Sequence, residues 1–372
     1  MKTNAAVLHR APGEWSVEEL ELDEPRRGEV LVEMVATGLC HSDDHVSHGD
    51  AQVAYLPVVG GHEGAGIVRA VGPEVHGLEV GDHVLTSFIP SCGKCRWCAM
   101  GMQNLCDNGA LVMVGYQMDG TFRMHTKDGI DVGTLSLLGT FSEWQVYDQL
   151  SLIKIDKDIP LEVACLVACG VQTGYGSAST AGDVQPGDVV VVAGVGGVGM
   201  NAVQGAVASG AAHIIAVDPV ADKQKWALEF GATESFPSMS EALPRVQALT
   251  NGQGADVTIL AAGLVHNDLI TEGYHSIRKA GTLVVTGVGP DHEYGLHGIN
   301  AFTLAMFQKR IQGALYGMKS PREAMPNLLN LYRSGKLKLD ELVTKTYSLD
   351  QINTAYDDMR NGRNIRGVIR FR

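Results

Sequence analysis

A strand that runs directly into a glycine turn and then a helix leaves a chain few folds to adopt, and residues 187 to 218 read in that way. Asp188-Val-Val-Val-Val-Ala193 is a short β-branched run, bounded by Pro186-Gly187 on one side and glycines on the other, which suits a strand buried on both faces. It breaks into Gly194-Val195-Gly196-Gly197-Val198-Gly199, and Met200 to Gly210 then has helical character. In that context Gly194 allows a tight turn, Gly196 lets the backbone approach a pyrophosphate, and Gly199 lets helix and strand pack closely. The helix start, with Gly197 and Val198, supplies amide donors and a partial positive charge. A second apolar run, His213-Ile-Ile-Ala-Val217, ends in Asp218, where a carboxylate accepts hydrogen bonds from an adenosine ribose and favours NAD over NADP. Glycine hexads also cap ordinary helices. The two flanking strands and the acid in register make this one a dinucleotide site.

The chain has 372 residues, 45% of them hydrophobic, enough for two domains with a core each. Its formal charge of −13, with no Lys or Arg run, argues against nucleic acid or an anionic membrane as partner. The first ten residues hold too short an apolar run for a signal peptide, and the apolar stretch near Val189 is too short to span a bilayer, so a cytoplasmic protein is expected. In such a reducing compartment the seven cysteines are expected to be metal ligands or buried thiols.

Short strands separated by polar turns fill the N-terminal part: Ala5 to His9, Trp15 to Leu22 and Glu29 to Val35. The third runs into Cys40-His41-Ser42-Asp43-Asp44-His45, a thiol, two imidazoles, a hydroxyl and two carboxylates in six positions. Gly61-His62-Glu63-Gly64 follows about twenty residues later, and Cys165 and Cys169 further on; one of those thiols could complete a site with Cys40 and His62. Between them, Cys92, Cys95, Cys98 and Cys106 have the spacing C-x2-C-x2-C-x7-C, which can close a sulfur tetrahedron on one loop and selects zinc. An iron-sulfur cluster uses similar spacings, but Asp107 stands where the ferredoxin pattern has proline. With all four positions filled by protein, such a site would hold the loop.

Residues 109 to 150 show no sustained period and read as a pocket rim. Gly170 to Asp183 looks helical. Beyond Asp218, helices at Lys223 to Phe230 and Asp268 to Lys279 alternate with strands at Asp256 to Ala261, Thr282 to Val288 and Ile311 to Leu315, which implies a doubly wound, largely parallel α/β sheet. Ser320-Pro321-Arg-Glu323 and Ser348-Leu-Asp-Gln351 open two more helices as capping boxes. Gly367 to Phe371 reads as a strand returning to the first domain. The expected division is 1–175 for a mainly β domain with its loop at 92–106, 176–317 for the dinucleotide domain, and 318–372 returning to the first.

The order Cys40, Gly-His-Glu at 61 to 63, the four-cysteine loop, Cys169-Gly170, the glycine hexad and Asp218 resembles the zinc-dependent medium-chain alcohol dehydrogenases. Ser87 to Cys92, Gly120 to His125, Leu138 to Glu143 and Asn364 to Phe371 further resemble the actinobacterial NDMA-dependent, or nicotinoprotein, branch, in which NAD(H) stays bound and electrons pass to another acceptor, thought to be mycofactocin. The resemblance implies a Rossmann sheet plus a GroES-like catalytic domain and two zinc ions. Cys40, His62 and Cys169 would hold the catalytic ion, a ligand set for which alcohol dehydrogenase is itself the type example, and Cys92, Cys95, Cys98 and Cys106 the structural one. It also implies Asp43 orienting His62, and Glu63 either assisting ligand exchange or pairing with Arg366. Ser42 and His45 would form a proton relay, and His41 and Arg366 would flank the pyrophosphate. Lys223 would reach the adenosine ribose or simply be solvated, and Thr173 and Val288 would line the nicotinamide. The implied activity is oxidation of a primary or secondary alcohol to an aldehyde or ketone, in a homodimer or homotetramer. S-(hydroxymethyl)glutathione dehydrogenase, with exchangeable NAD, has the same zinc and cofactor residues.

Overall fold

A computed structural model of the protein describes residues 1–289 and 296–371, and the chain divides into two compact units. The first contains Met1–Cys169, Ser320–Arg333 and Leu339–Arg372; the second contains Gly170–Lys319 and Ser334–Lys338.

In the first unit, strands Lys2–Leu8, Ser16–Leu22, Met124–His125, Asp131–Thr134 and Val58–Val59 close into a small barrel. Beside it lies a seven-stranded sheet whose centre is Glu29–Gly38, a strand buried along almost its whole length. Its two acids persist there because each has a cation: Glu29 accepts from Arg123, which is fully buried, and Glu33 from Arg69. Glu63–Val71 and Arg366–Arg370 flank this strand antiparallel on its two edges, with Gly38 opposite both Glu63 and Val368. That register brings the end of one strand, just before Cys40, level with the start of its neighbour, just after His62. The apolar cores on either side centre on Trp15, Phe141 and Tyr356 in one cluster and on Met34, Val84 and Tyr147 in the other.

The second unit is a six-stranded, wholly parallel sheet. Its order is Glu234–Phe236, His213–Val217, Val189–Ala193, Ala255–Leu260, Ile277–Val285, Arg310–Gly313. Numbered along the chain this is 3-2-1-4-5-6, the Rossmann order, with its switch point beside Val189–Ala193. All five residues of that strand are buried, as a parallel sheet covered on both faces requires.

Several elements differ from expectation. His41–His48 forms a helix, to which no secondary structure was assigned from the sequence. The helix expected to reach Lys279 stops at Ser276, because Ile277 is buried opposite Ala255 and Arg278 pairs with Asp256, which draws the chain into the sheet five residues early. Helix Met239–Leu249 went unread although Ser238-Met-Ser-Glu241 is a capping pattern, with the Ser238 hydroxyl accepting from the Glu241 amide. Gly170–Gly176 is α-helical and continues as a π-turn over Ser177–Ala181. The Ser348 capping box forms and leads into helix Ile352–Arg360. Among the described residues no helix is long and apolar enough to cross a membrane.

Candidate active site

Sequence-distant donors meet in the first unit: ligand atoms of Cys40, His62, Glu63 and Cys169 all lie within 4.8 Å of one another, and His62, Glu63 and Cys169 are buried. Cys165 stays outside the group, fully buried with its thiol 3.4 Å from the Glu162 carbonyl. His62 is fixed from three directions. Its Nδ1 stands 3.1 Å from Asp43 Oδ2, its carbonyl accepts from Thr86 Oγ1 at 3.1 Å, and its ring meets Phe88 edge to face at 5.9 Å. The other oxygen of Asp43 accepts from the Gly61 amide at 2.8 Å, so one carboxylate ties the helix His41–His48 to the loop that carries His62. With Nδ1 turned to Asp43, Nε2 is the nitrogen left for a metal.

The ionisable groups of the cluster act on one another. A hydrogen bond from Cys169, with the positive charge of His62, holds the Cys40 thiol well below its ordinary value against the opposing effect of burial. The same hydrogen bond, together with burial, pushes Cys169 up. Burial alone would lower His62, but Asp43 and Cys40 outweigh it and raise the imidazole. Two sulfurs and a nitrogen, with the Glu63 carboxylate beside them, form a donor set suited to zinc. Loading such a site releases protons, since the Cys169 thiol and the His62 imidazolium must each give one up before they can act as ligands.

Of the two alternatives for Glu63, the pair with Arg366 is the one that forms. Glu63 stands among the metal donors and forms this buried ion pair with Arg366, whose guanidinium additionally donates to the Leu39 carbonyl at 2.9 Å. Burial lifts the Glu63 carboxyl to about 7 even against the pull of Arg366. Gly38 is what admits this pair, because a Cβ there would lie 2.1 Å from Glu63 Oε2 and 3.1 Å from Arg366 Nη2.

The helix His41–His48, which begins directly after Cys40, carries Ser42 and His45. Ser42 is exposed, with Oγ 3.6 Å from Cys40 Sγ, and His45 is buried with Nδ1 3.3 Å from Asp50. The His41 and His45 rings are 6.2 Å apart. Sequence reasoning passed over Asp44, which pairs with Arg360 at 2.8 Å and so clamps this helix to Ile352–Arg360, and Asp50; a glycine directly before Asp50, at a helix end, was the available signal.

The sulfurs of Cys92, Cys95, Cys98 and Cys106 also lie within 4.8 Å of one another, with 4.0 Å between Cys92 and Cys98 and 3.9 Å between Cys95 and Cys106. Zinc-thiolate bonds of about 2.3 Å set tetrahedral sulfurs about 3.8 Å apart, so the loop fits a closed zinc site. The amides of Cys92, Cys95 and Cys98 donate to Cys106, Cys92 and Cys95 sulfurs at 3.3 to 3.5 Å. Backbone amides hold Cys92 down to about 6, whereas burial pushes Cys98 up to about 12.

In the second unit the glycine turn follows strand Val189–Ala193 and opens helix Gly197–Ala208. Gly194 has φ +86°, and a Cβ on it would sit 2.5 Å from the Ala262 nitrogen; one on Gly199 would sit 1.8 Å from the Gly194 carbonyl oxygen. Beside Gly196 the space is open to 4 Å, and the amides of the helix's first turn, from Gly197 through Val198, have no intrahelical acceptor. Asp218 lies at the neighbouring strand end and is nearly buried, its carboxylate accepting from the Val195 amide at 3.0 Å and the Val220 amide at 2.9 Å. Thr173, Lys223 and Val288 stand on three other elements of this unit: helix Gly170–Gly176, helix Ala221–Glu229 and a bridge from Val288 to Leu264, with Val288 more than half exposed.

Residues 26–157 match the alcohol dehydrogenase GroES-like domain and residues 197–334 the zinc-binding dehydrogenase domain. The chain is 50% identical over 369 residues to an NDMA-dependent alcohol dehydrogenase of Amycolatopsis methanolica, covering 99% of each chain. It is 47% identical over 374 residues to alcohol dehydrogenase B of Mycobacterium tuberculosis, covering 100% of this chain and 99% of the relative. Among solved structures, benzyl alcohol dehydrogenase from Acinetobacter calcoaceticus superposes with TM-score 0.91 at 30% identity, covering 100% of both chains. A Burkholderia ambifaria alcohol dehydrogenase zinc-binding domain protein gives 0.93 at 33% identity, covering 100% of this chain and 99% of that one. The donor clusters, the Rossmann strand order and these full-length likenesses agree: the chain belongs to the zinc-dependent medium-chain alcohol dehydrogenases, in their actinobacterial NDMA-dependent branch.

Proposed function

We propose that this alcohol dehydrogenase oxidises a primary or secondary alcohol to the aldehyde or ketone with NAD(H) that stays bound between turnovers and is reoxidised by an external, mycofactocin-like acceptor. The observation that carries the reading is the convergence of Cys40, His62 and Cys169, with Glu63, at the head of the helix bearing Ser42 and His45. When bound, zinc acidifies an alcohol hydroxyl and nicotinamide accepts hydride. Cys40, His62 and Cys169 hold the first ion, and Asp43 fixes the His62 tautomer by accepting from Nδ1. Glu63, balanced by Arg366, keeps negative charge beside the site without a net excess. Ser42 and His45 take the alcohol proton away from a site that must exclude water during hydride transfer.

Cys92, Cys95, Cys98 and Cys106 hold a second, structural ion, giving two zinc per chain. The first unit is the catalytic domain and the second the NAD domain, where Gly194, Gly196, Gly197, Val198 and Gly199 cradle the pyrophosphate. Asp218 and Lys223 address the adenosine ribose, Thr173 and Val288 the nicotinamide, and His41 and Arg366 the phosphates. The protein works in the cytoplasm as a homodimer or homotetramer. Exposed Phe302, Met306 and Leu315 near the edge strand Arg310–Gly313 support an assembly through the second unit.

Denaturing the purified protein and measuring the NAD(H) and zinc released tests this reading, alongside turnover with free NAD and with NDMA as acceptor. One NAD(H) and two zinc per chain, with turnover by NDMA and little with free NAD, are expected. Exchangeable NAD with a strict need for glutathione would instead identify an S-(hydroxymethyl)glutathione dehydrogenase.

A further inference from the structure

The helix His41–His48 ends in a turn that brings a second acid to His45. Gly49 adopts φ +86°, and the chain doubles back so that the amides of Asp50 and Ala51 donate to the His45 carbonyl at 2.8 and 3.1 Å. The turn closes the helix and sets the Asp50 carboxylate beside the imidazole, Oδ2 lying 3.3 Å from Nδ1. The two side chains differ sharply in access to water, His45 being 10% exposed and Asp50 47%. A carboxylate just past a helix C-terminus faces the negative end of the helix dipole, so helix stability does not account for an acid here. The other acid of this region, Asp44, is engaged by Arg360 and His48, and the ring of His41 lies 6.2 Å from that of His45.

We propose that Asp50 is a positioning residue for His45 and the acceptor that passes the relay's proton to solvent. The inference rests on the reading of Ser42 and His45 as a proton relay. By accepting from Nδ1–H, Asp50 holds the neutral imidazole in the tautomer whose Nε2 carries the lone pair. When Nε2 binds the proton arriving from the Ser42 side, the ring becomes a cation that the adjacent carboxylate stabilises. The Nδ1–H bond then breaks with its electron pair left on nitrogen, an O–H bond forms on Asp50, and a solvent water or buffer base removes that proton. Net, one proton leaves for each hydride transferred and Asp50 returns to its ionised form, while His45, left as the Nε2–H tautomer, recovers the Nδ1–H form by proton exchange with solvent before the next turnover.

The test uses the zinc- and NAD-loaded enzyme in a single turnover, with whichever of ethanol, 1-butanol and benzyl alcohol the wild type oxidises fastest. NADH formation is read by absorbance and proton release by an indicator dye. Asp50→Ala should slow proton release about tenfold, added formate should restore it, and Asp50→Glu should behave nearly as wild type. A second readout needs no turnover: the ring-nitrogen spectrum of His45, assigned with His45→Gln, should show the Nδ1–H tautomer in wild type and a mixture in Asp50→Ala. Unslowed release in Asp50→Ala, slowed release that formate does not restore, or an unchanged tautomer overturns the proposal. His45→Gln separates the two levels of failure. If it too releases the proton at the wild-type rate, the relay itself is absent and the role of Asp50 falls with it; if it is slow while Asp50→Ala is not, only the role of Asp50 is lost.

Discussion

The donors of the cluster at Cys40, His62 and Cys169 are packed against one another, so single substitutions should separate chemistry from folding. Cys40 lies at a strand end beside His62 and Cys169, and its sulfur carries none of the apolar core. Cys40→Ala is therefore expected to lose one of two zinc equivalents and turnover while retaining its circular dichroism and melting temperature; unchanged turnover would remove the proposed site. Asp218 is less separable, because its carboxylate serves two backbone amides, one of them on the glycine turn itself. Asp218→Gly should narrow the preference for NAD over NADP and reduce the NAD(H) released on denaturation. It should also cost about 1–3 kcal/mol through the two amides left without an acceptor. A destabilised variant with undiminished NAD(H) content would mean that the acid serves the turn alone. Cys40 and His62 were legible as candidate donors because they sit in short motifs dense in polar groups or glycine, but the residues alone did not decide between Cys165 and Cys169, and the resemblance implied Cys169. Asp50 was not legible, since its role depends on a chain reversal after the helix.

At the scale of elements, the loop from Cys92 to Cys106 has one four-residue helix and one three-residue turn, too little hydrogen-bonded structure to stand alone. Its order depends on four sulfurs converging, two of them on the buried side. Cys95→Ser should lose the second zinc equivalent, lower soluble yield and bring the melting temperature down by several degrees, read by calorimetry with metal analysis; an unchanged melting temperature would show that the loop holds without metal. Local pattern revealed the four central parallel strands, whose apolar runs are largely buried, but not the edge strand Glu234–Phe236 or the helix His41–His48. Val46 is its only apolar residue, so it has no hydrophobic stripe to read, and it is held by contacts of Asp43 with Gly61 and Asp44 with Arg360. Residues 109 to 150 defeated the reading for a related reason. They form two-residue to five-residue elements secured by distant partners, such as Arg123 on Glu29.

Over the whole molecule, stability should depend on acid through a polar knot near the end of the chain. Asp358 is buried and accepts from Lys345, from the Tyr347 hydroxyl at 2.7 Å and from Arg363 at 2.6 Å. Lys345 first, then Tyr347 and Arg363, hold its carboxyl well below the usual carboxylate range. A carboxyl depressed in the native state adds stability that is complete above its unfolded value, about 4, and is lost as the pH falls below it toward the native value. Between pH 7 and 3 the melting temperature of Asp358→Asn should therefore fall less than that of wild type, from a lower start; parallel curves would show that the knot contributes nothing to acid sensitivity. The antiparallel return of strand Arg366–Arg370 beside Glu29–Gly38 has a consequence in time. Glu63 and its counter-charge Arg366 are 303 positions apart, so during synthesis the thiols and imidazole emerge long before the guanidinium that balances their acid exists. This ion pair can close only after the polypeptide has passed through its whole second unit, which makes it a late event in the synthesis of each molecule.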